Sequence, residues 1–225
     1  AEEQAKQLAE TYQGGAERFL NTVGNRLEGC LPLPKLMWLR EHEPETYACI
    51  RHVLISSKDY LIAQLTGECV GDVAACSTAG AMNIRNGQWD AELCEVAEID
   101  MTILPHLHNP QDNIGTVTES AAQRTGFSAG TAVYAGIGDA GATTLASGVS
   151  HPGQYNINIG TSGWIATVSP EPFTDKPGAA NLAFGVEEGF VNAVPFLNAG
   201  DVHKWVTGVF ADGDYVAVSY THLTL

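Results

Sequence analysis

The 225-residue sequence predicts an α/β protein whose first half is mainly helical and whose second half is built from short strands. Three observations predict it. Up to Gly126 the apolar residues recur at helical spacing between capping residues and glycines. From Thr131 onward, short stretches alternate polar and apolar residues, the period of a strand. Between these two textures stands Gly136-Ile-Gly-Asp-Ala-Gly141, preceded by an apolar run and followed by Ala142-Thr-Thr-Leu-Ala-Ser147. That layout is strand, glycine loop, helix.

The elements follow in order. Ala1–Leu8 reads as the middle of an amphipathic helix. Pro34 starts a helix through Glu41 with Leu36, Trp38 and Leu39 near one face. Glu43-Pro44 opens another, carrying Tyr47, Ile50, Val53 and Leu54, and the helix over Ser57–Thr66 stops at Gly67. Asp90 caps a helix over Trp89–Ala97, and Thr118 caps one that Gly126 closes. In the second half, Gln154–Ile159 is a strand with Tyr155, Ile157 and Ile159 on one face. The tight Gly160-Thr161-Ser162-Gly163 turns it into a hairpin with Gly163–Val168. A third strand, Gly189–Val194, precedes a helix from Asn198 to Phe210 with Val202, Trp205, Val206 and Val209 facing inward. Pro152 and Gly153 punctuate Gly148–Gly153, where a domain boundary is expected.

Composition narrows the function. Eleven Lys and Arg stand against 26 Asp and Glu, a net charge of −15, which disfavours nucleic acid and anionic membrane as partners. After Arg124 the basic side chains are Lys176 and Lys204 alone, so phosphate bound by this half must rest on backbone N–H groups, a helix end or a metal. The five cysteines (Cys30, Cys49, Cys69, Cys76, Cys94) are odd in number and form no CxxC pair. Reduced, mostly buried thiols in a cytoplasmic protein are expected. His106 and His108 lack further ligands at metal spacing and read as loop histidines. No apolar run reaches transmembrane length.

The GIGDAG stretch has the form of a dinucleotide fingerprint, yet between Asp139 and Glu171 there is no Asp or Glu to hold a ribose. Gly160-Thr-Ser-Gly-Trp164 resembles a nucleophile elbow, but Trp164 replaces its last glycine and its turn joins two strands. What remains is a loop that presents Asp139. Helix capping alone could place an aspartate there. The surrounding glycines add room for a substrate hydroxyl, whose proton a carboxylate can accept during phosphoryl transfer. The GTSG turn exposes successive N–H groups and hydroxyls, an anion concavity that needs no lysine.

Four stretches together resemble the FGGY family of carbohydrate kinases, closest in texture to its xylulokinase-like members. Gly24-Asn-Arg-Leu27 with Pro34-Lys-Leu-Met-Trp-Leu-Arg-Glu-His42 is similar to the family's first signature, built around Lys35 and Trp38, with Cys30 departing from the residue usual at its start. Lys58-Asp-Tyr-Leu61, Leu65-Thr-Gly67 and Asp72 resemble a K-D-Y-L…L-T-G…D run. Gly138-Asp-Ala140 resembles the motif that carries the catalytic base, and Ile159-Gly-Thr-Ser-Gly163 the second phosphate motif.

The resemblance implies the actin-like ATPase fold, two ribonuclease-H-like α/β domains, here truncated at both ends. Residues 1–150 then end the first, sugar-binding domain, and 151–217 start the second, ATP-binding one. Residues 218–225, with Val218-Ser-Tyr-Thr-His-Leu223 matching one frame of a common sequencing adapter, are expected to be a non-native tail. It implies ATP-dependent phosphorylation of a sugar or polyol hydroxyl, a ketopentose such as xylulose favoured, with Mg²⁺, and a homodimer as one assembly of the full-length protein. Asp139 is the implied base, Gly138 and Asp139 the substrate contacts, and Gly160, Thr161, Ser162 and Gly163 the ATP-phosphate contacts; no metal ligand is assigned. The first phosphate hairpin with its magnesium-linked Asp, the W-x-D-x-R run and the adenosine motif are expected outside the 225 residues, which by themselves should then be inactive. A non-catalytic sugar-responsive protein on the same fold is the alternative.

Overall fold

The computed structural model describes residues 1–160, 163–196 and 198–216. The expected tail at 218–225, and Thr161 and Ser162 of the GTSG turn, lie outside the described residues.

The first half opens with α1 (Glu2–Thr11), α2 (Gly15–Val23), α3 (Pro32–His42), α4 (Pro44–Ala48) and α5 (Ser57–Thr66). β1 (Val70–Asp72) runs directly into α6 (Val73–Cys76), and β2 (Met82–Asn83) and β3 (Gln88–Trp89) form a small hairpin before α7 (Ala91–Val96). β4 (His106–His108) pairs parallel with β1. β5 (Asn113–Thr116), α8 (Glu119–Thr125), β6 (Ala132–Tyr134) and α9 (Asp139–Ala146) complete this half, with β5 and β6 antiparallel. The second half holds β7 (Tyr155–Ile159), β8 (Gly163–Ser169), β9 (Ala180–Ala183), β10 (Phe190–Phe196) and α10 (Gly200–Phe210). Its four strands form one antiparallel sheet in the order β7-β8-β10-β9.

Local chemistry sets the ends as expected. Asp90 accepts from the Leu93 N–H, Thr118 from the Ala121 N–H, and Gly67 and Gly126 close their helices at φ 87° and 80°. The β7–β8 hairpin forms in register, Ile159 opposite Gly163.

Elsewhere tertiary packing overrides the local pattern. Ile50, Val53 and Leu54 lie beyond α4, because the Val53 N–H is taken by the Ile103 carbonyl at 2.8 Å rather than by a helical turn. Trp38 is exposed and stacks on His42, because α3 turns Leu33, Leu36 and Met37 inward instead. His106 and His108 sit on a strand rather than in a loop, held by pairing to β1. Cys76 and Cys94 are buried, but Cys30 and Cys49 are exposed, so the thiols are not mostly buried. In β7 the alternation holds: Tyr155, Ile157 and Ile159 share one face, which points outward, while Asn156 is buried. Val202, Trp205 and Val209 of α10 are likewise exposed, and Thr207 is that helix's buried residue.

Three apolar clusters make the core. α1, α2, α3 and α7 share one through Leu8, Phe19, Leu33, Met37 and Leu93. A second joins the halves, with Val73, Cys76, Met82 and Ile84 against Ala183 and Phe190. The third lies under the sheet, where Ile137 and Ala140 pack against Val168, Leu182, Phe184 and Val191. This last contact seats the residues on both sides of Asp139.

Candidate active site

Asp139 is the first residue of α9, after the loop Ala135–Gly138 that follows β6. It does not stand at a strand's end, because the glycine loop carries the chain five residues past Tyr134. Nor does it cap the helix: Gly138 occupies the N-cap position, with no side-chain cap. Asp139 Oδ1 accepts from the Ala140 N–H at 2.9 Å. Its other oxygen has no hydrogen-bond partner among the described residues and is free to accept from a ligand. The loop needs its glycine at 136, where φ is +66°.

Asp139 and Gly138 line a cavity of about 570 Å³ together with Ser56, Ser57, Lys58, Thr78, Ala140 and Leu182, a size that admits a small polar molecule. Among the described residues, Asp139 is the one carboxylate on its wall, and Lys58 the one cation. A separate cavity of about 610 Å³, lined by Arg85, His108, Asp112, Glu171 and Glu188, contains none of the expected site residues.

Lys58 is tied down. Its Nζ lies 2.6 Å from Asp59 Oδ1 and 2.7 Å from Asp72 Oδ2, and both carboxylates are fully buried. Burial pulls the Lys58 pKa down, but the hydrogen bond to Asp59 and the charges of Asp59 and Asp72 outweigh it, and the ammonium is held above the usual lysine range. Each carboxylate has a second duty. Asp59 Oδ2 accepts from the Ser56 N–H at 3.0 Å in the capping box of α5, and Asp72 Oδ1 caps α6 through the Ala74 and Ala75 N–H groups. The Ser56-x-x-Asp59 spacing was the signal for the first of these; no local pattern announces the ammonium bridge to Asp72.

Of the residues expected to contact the ATP phosphates, the two that are described fall apart from this cavity. Gly160 and Gly163 flank the β7–β8 turn and do not line the Asp139 pocket. Gly163 is required sterically: a Cβ there would meet Phe196 Cε2 at 2.4 Å and the Asn158 carbonyl oxygen at 2.6 Å. The Gly160 carbonyl accepts from the Gly200 N–H at 2.8 Å, joining the turn to the start of α10.

Residues 1–146 match the N-terminal domain of the FGGY family of carbohydrate kinases. The chain belongs to that family. Among its FGGY relatives, the xylulose kinase of Lactococcus lactis is 32% identical over 93% of the chain and 42% of its own length. The autoinducer-2 kinase of Yersinia enterocolitica is 31% identical over 93% of the chain and 40% of its own length. The crystal structure of xylulose kinase from Rhodospirillum rubrum superposes with a TM-score of 0.83 at 28% identity, over 96% of the chain and 44% of that structure. The chain thus spans about 40% of the curated FGGY relatives it matches. Its fold is the actin-like, ribonuclease-H-like α/β fold of these kinases.

Among the described residues no group of three or more His, Cys, Asp and Glu side chains could hold a metal ion. With a single carboxylate in the cavity, these residues do not by themselves fit Mg²⁺.

Proposed function

We propose that the complete gene product phosphorylates a hydroxyl of a sugar or polyol with ATP as donor, a ketopentose such as xylulose being the favoured acceptor. Asp139 is the general base. The observation that carries this is its placement: a carboxylate on the wall of a substrate-sized cavity, not committed to capping its helix, in a chain of the FGGY family.

The free oxygen of Asp139 takes the proton of the acceptor hydroxyl as that oxygen attacks the γ-phosphorus. The new O–P bond forms as the bond from the γ-phosphorus to the β,γ-bridging oxygen breaks, and ADP leaves. Gly138 lets the acceptor approach the base closely. Gly160, Thr161, Ser162 and Gly163 bind the ATP phosphates through N–H groups and hydroxyls, the means open to a half that carries only Lys176 and Lys204. Mg²⁺, if bound with the ATP, would neutralise charge on the phosphates; none of the described residues is assigned as its ligand. We assign residues 1–150 to the sugar-binding domain and 151–217 to the start of the ATP-binding domain, in a cytoplasmic enzyme.

Asp139→Asn keeps the size of the side chain and removes the base. In the complete gene product, turnover with MgATP and the best acceptor from a panel of ketopentoses, polyols and hexonates is expected to fall by roughly 10²-fold or more. Near-normal turnover of that variant would overturn the assignment.

A further inference from the structure

We infer that Lys58 is a positioning residue for phosphoryl transfer, holding through its two buried carboxylates the loop that aims Asp139. The inference rests on Asp139 being the base.

Lys58 faces the cavity, and a lone lysine there invites assignment as a phosphate ligand. The charges argue otherwise. One ammonium between two fully buried carboxylates leaves the cluster with a net charge of −1, which repels a phosphate. The ammonium is committed to the protein.

What the cluster supports is the Asp139 loop, at two points. The Lys58 stem runs close to Gly136: a Cβ added there would lie 3.8 Å from Lys58 Cδ. Gly138 lies close to α6: a Cβ added there would lie 3.6 Å from Ala75 Cβ. The Ala75 N–H is in turn held by Asp72 Oδ1 at 3.0 Å. Both supports therefore hang on the same ammonium: one is its own stem, and the other is the helix capped by its partner. The rest of the loop is fixed independently, by the Gly136 N–H donating to the Pro110 carbonyl at 2.9 Å and by Ile137 and Ala140 on the sheet core.

Without the ammonium, Asp59 and Asp72 would face each other as buried like charges, and the starts of α5 and α6 would separate. The loop would then lose its floor while keeping its contact with the sheet, so that Asp139 tilts rather than unfolds. A shift of about 1 Å at a reacting group can cost on the order of 10²-fold in rate.

The test is a double-variant cycle in the complete gene product. Lys58→Met is expected to lower kcat by about 10- to 100-fold with the KM for ATP held within about twofold. In an Asp139→Asn background it should add no further loss, because an absent base cannot be misplaced. A folded Lys58→Met enzyme with wild-type kcat, or losses that multiply in the double variant, would overturn the inference while leaving Asp139 in its role. Normal turnover of Asp139→Asn alone would remove the base and this inference with it. Lys58→Gln keeps a shorter stem and a neutral NH₂ donor in place of the charge, and decides the cycle if the Met variant does not fold. Amide hydrogen exchange gives a readout independent of activity. Amides of residues 136–140 should exchange faster in Lys58→Gln, with those of β8 and β10 unchanged, and unaltered exchange at 136–140 counts against the inference.

Discussion

Gly163 shows how one residue can answer to packing before any ligand arrives. Its missing Cβ leaves room for the Phe196 ring and for the Asn158 carbonyl oxygen, and the carbonyl belongs to a backbone that cannot swing aside. Gly163→Ala should therefore open the β7–β8 turn and lower the urea midpoint by an amount corresponding to about 1–3 kcal/mol; an unchanged midpoint would show that the hairpin absorbs the methyl. The thiols offer a second check at this scale. Burial raises the Cys94 thiol to about 11 and the Cys76 thiol further still, whereas Cys30 and Cys49 are exposed. A thiol reagent at neutral pH should modify Cys30 and Cys49 in the native chain, and Cys76 and Cys94 only after unfolding. Fast labelling of Cys76 would contradict its burial. Asp139 was legible in the sequence because three glycines in a strand–loop–helix setting mark a presented side chain. The task of Lys58 was not legible, because its partner Asp72 lies past α5 at the end of β1 and becomes adjacent only when the chain folds.

At the scale of elements, what the sequence shows well is chemistry that completes itself within a few residues. Thr118 caps α8 through its own hydroxyl, and Gly126 closes it in the left-handed region, both readable without knowing the fold. Thr118→Ala should cost about 1 kcal/mol and lower the melting temperature by about 2–4 °C; a melting point unchanged within 1 °C, on the same order-of-magnitude basis, would mean that the end of α8 frays at no cost. Faces are harder to read. The alternation of β7 gives its period but not which side is inward, and here the asparagine side is buried while Tyr155, Ile157 and Ile159 face out. The stripe of α10 is legible as a stripe, and its outward direction is not, because period fixes which residues share a face and not what lies opposite. β9 escaped notice because its buried core-facing run includes Asn181, a polar residue whose Oδ1 accepts from the Phe173 N–H and whose other bonds go to distant partners.

Those partners act at the scale of the whole molecule. Asn25, just after α2, donates through Nδ2 to the Asn181 carbonyl at 2.7 Å and to the Ser77 carbonyl at 3.1 Å, and its Oδ1 accepts from the Asn181 N–H at 2.8 Å. Asn181 donates back to the Gly24 carbonyl, and Ser77 Oγ accepts from the Ala183 N–H at 2.8 Å. These bonds run beside the apolar cluster that mixes Val73, Cys76 and Met82 with Ala183 and Phe190, so β9 is fastened to the first half by polar and apolar contacts at once. The two parts assigned to different domains thus share one core, and their unfolding should be coupled. Asn25→Ala leaves the Asn181 N–H and carbonyl buried without their partner, at about 1–3 kcal/mol for each stranded group. Its urea transition should move down as a single event, with far-UV dichroism tracking the emission of Trp38 and Trp89 in the first half and of Trp164 and Trp205 in the second. A variant whose second half melts first, in a separate transition, would show that the apolar contact alone cannot hold the halves together and that Asn25 is the fastening between them.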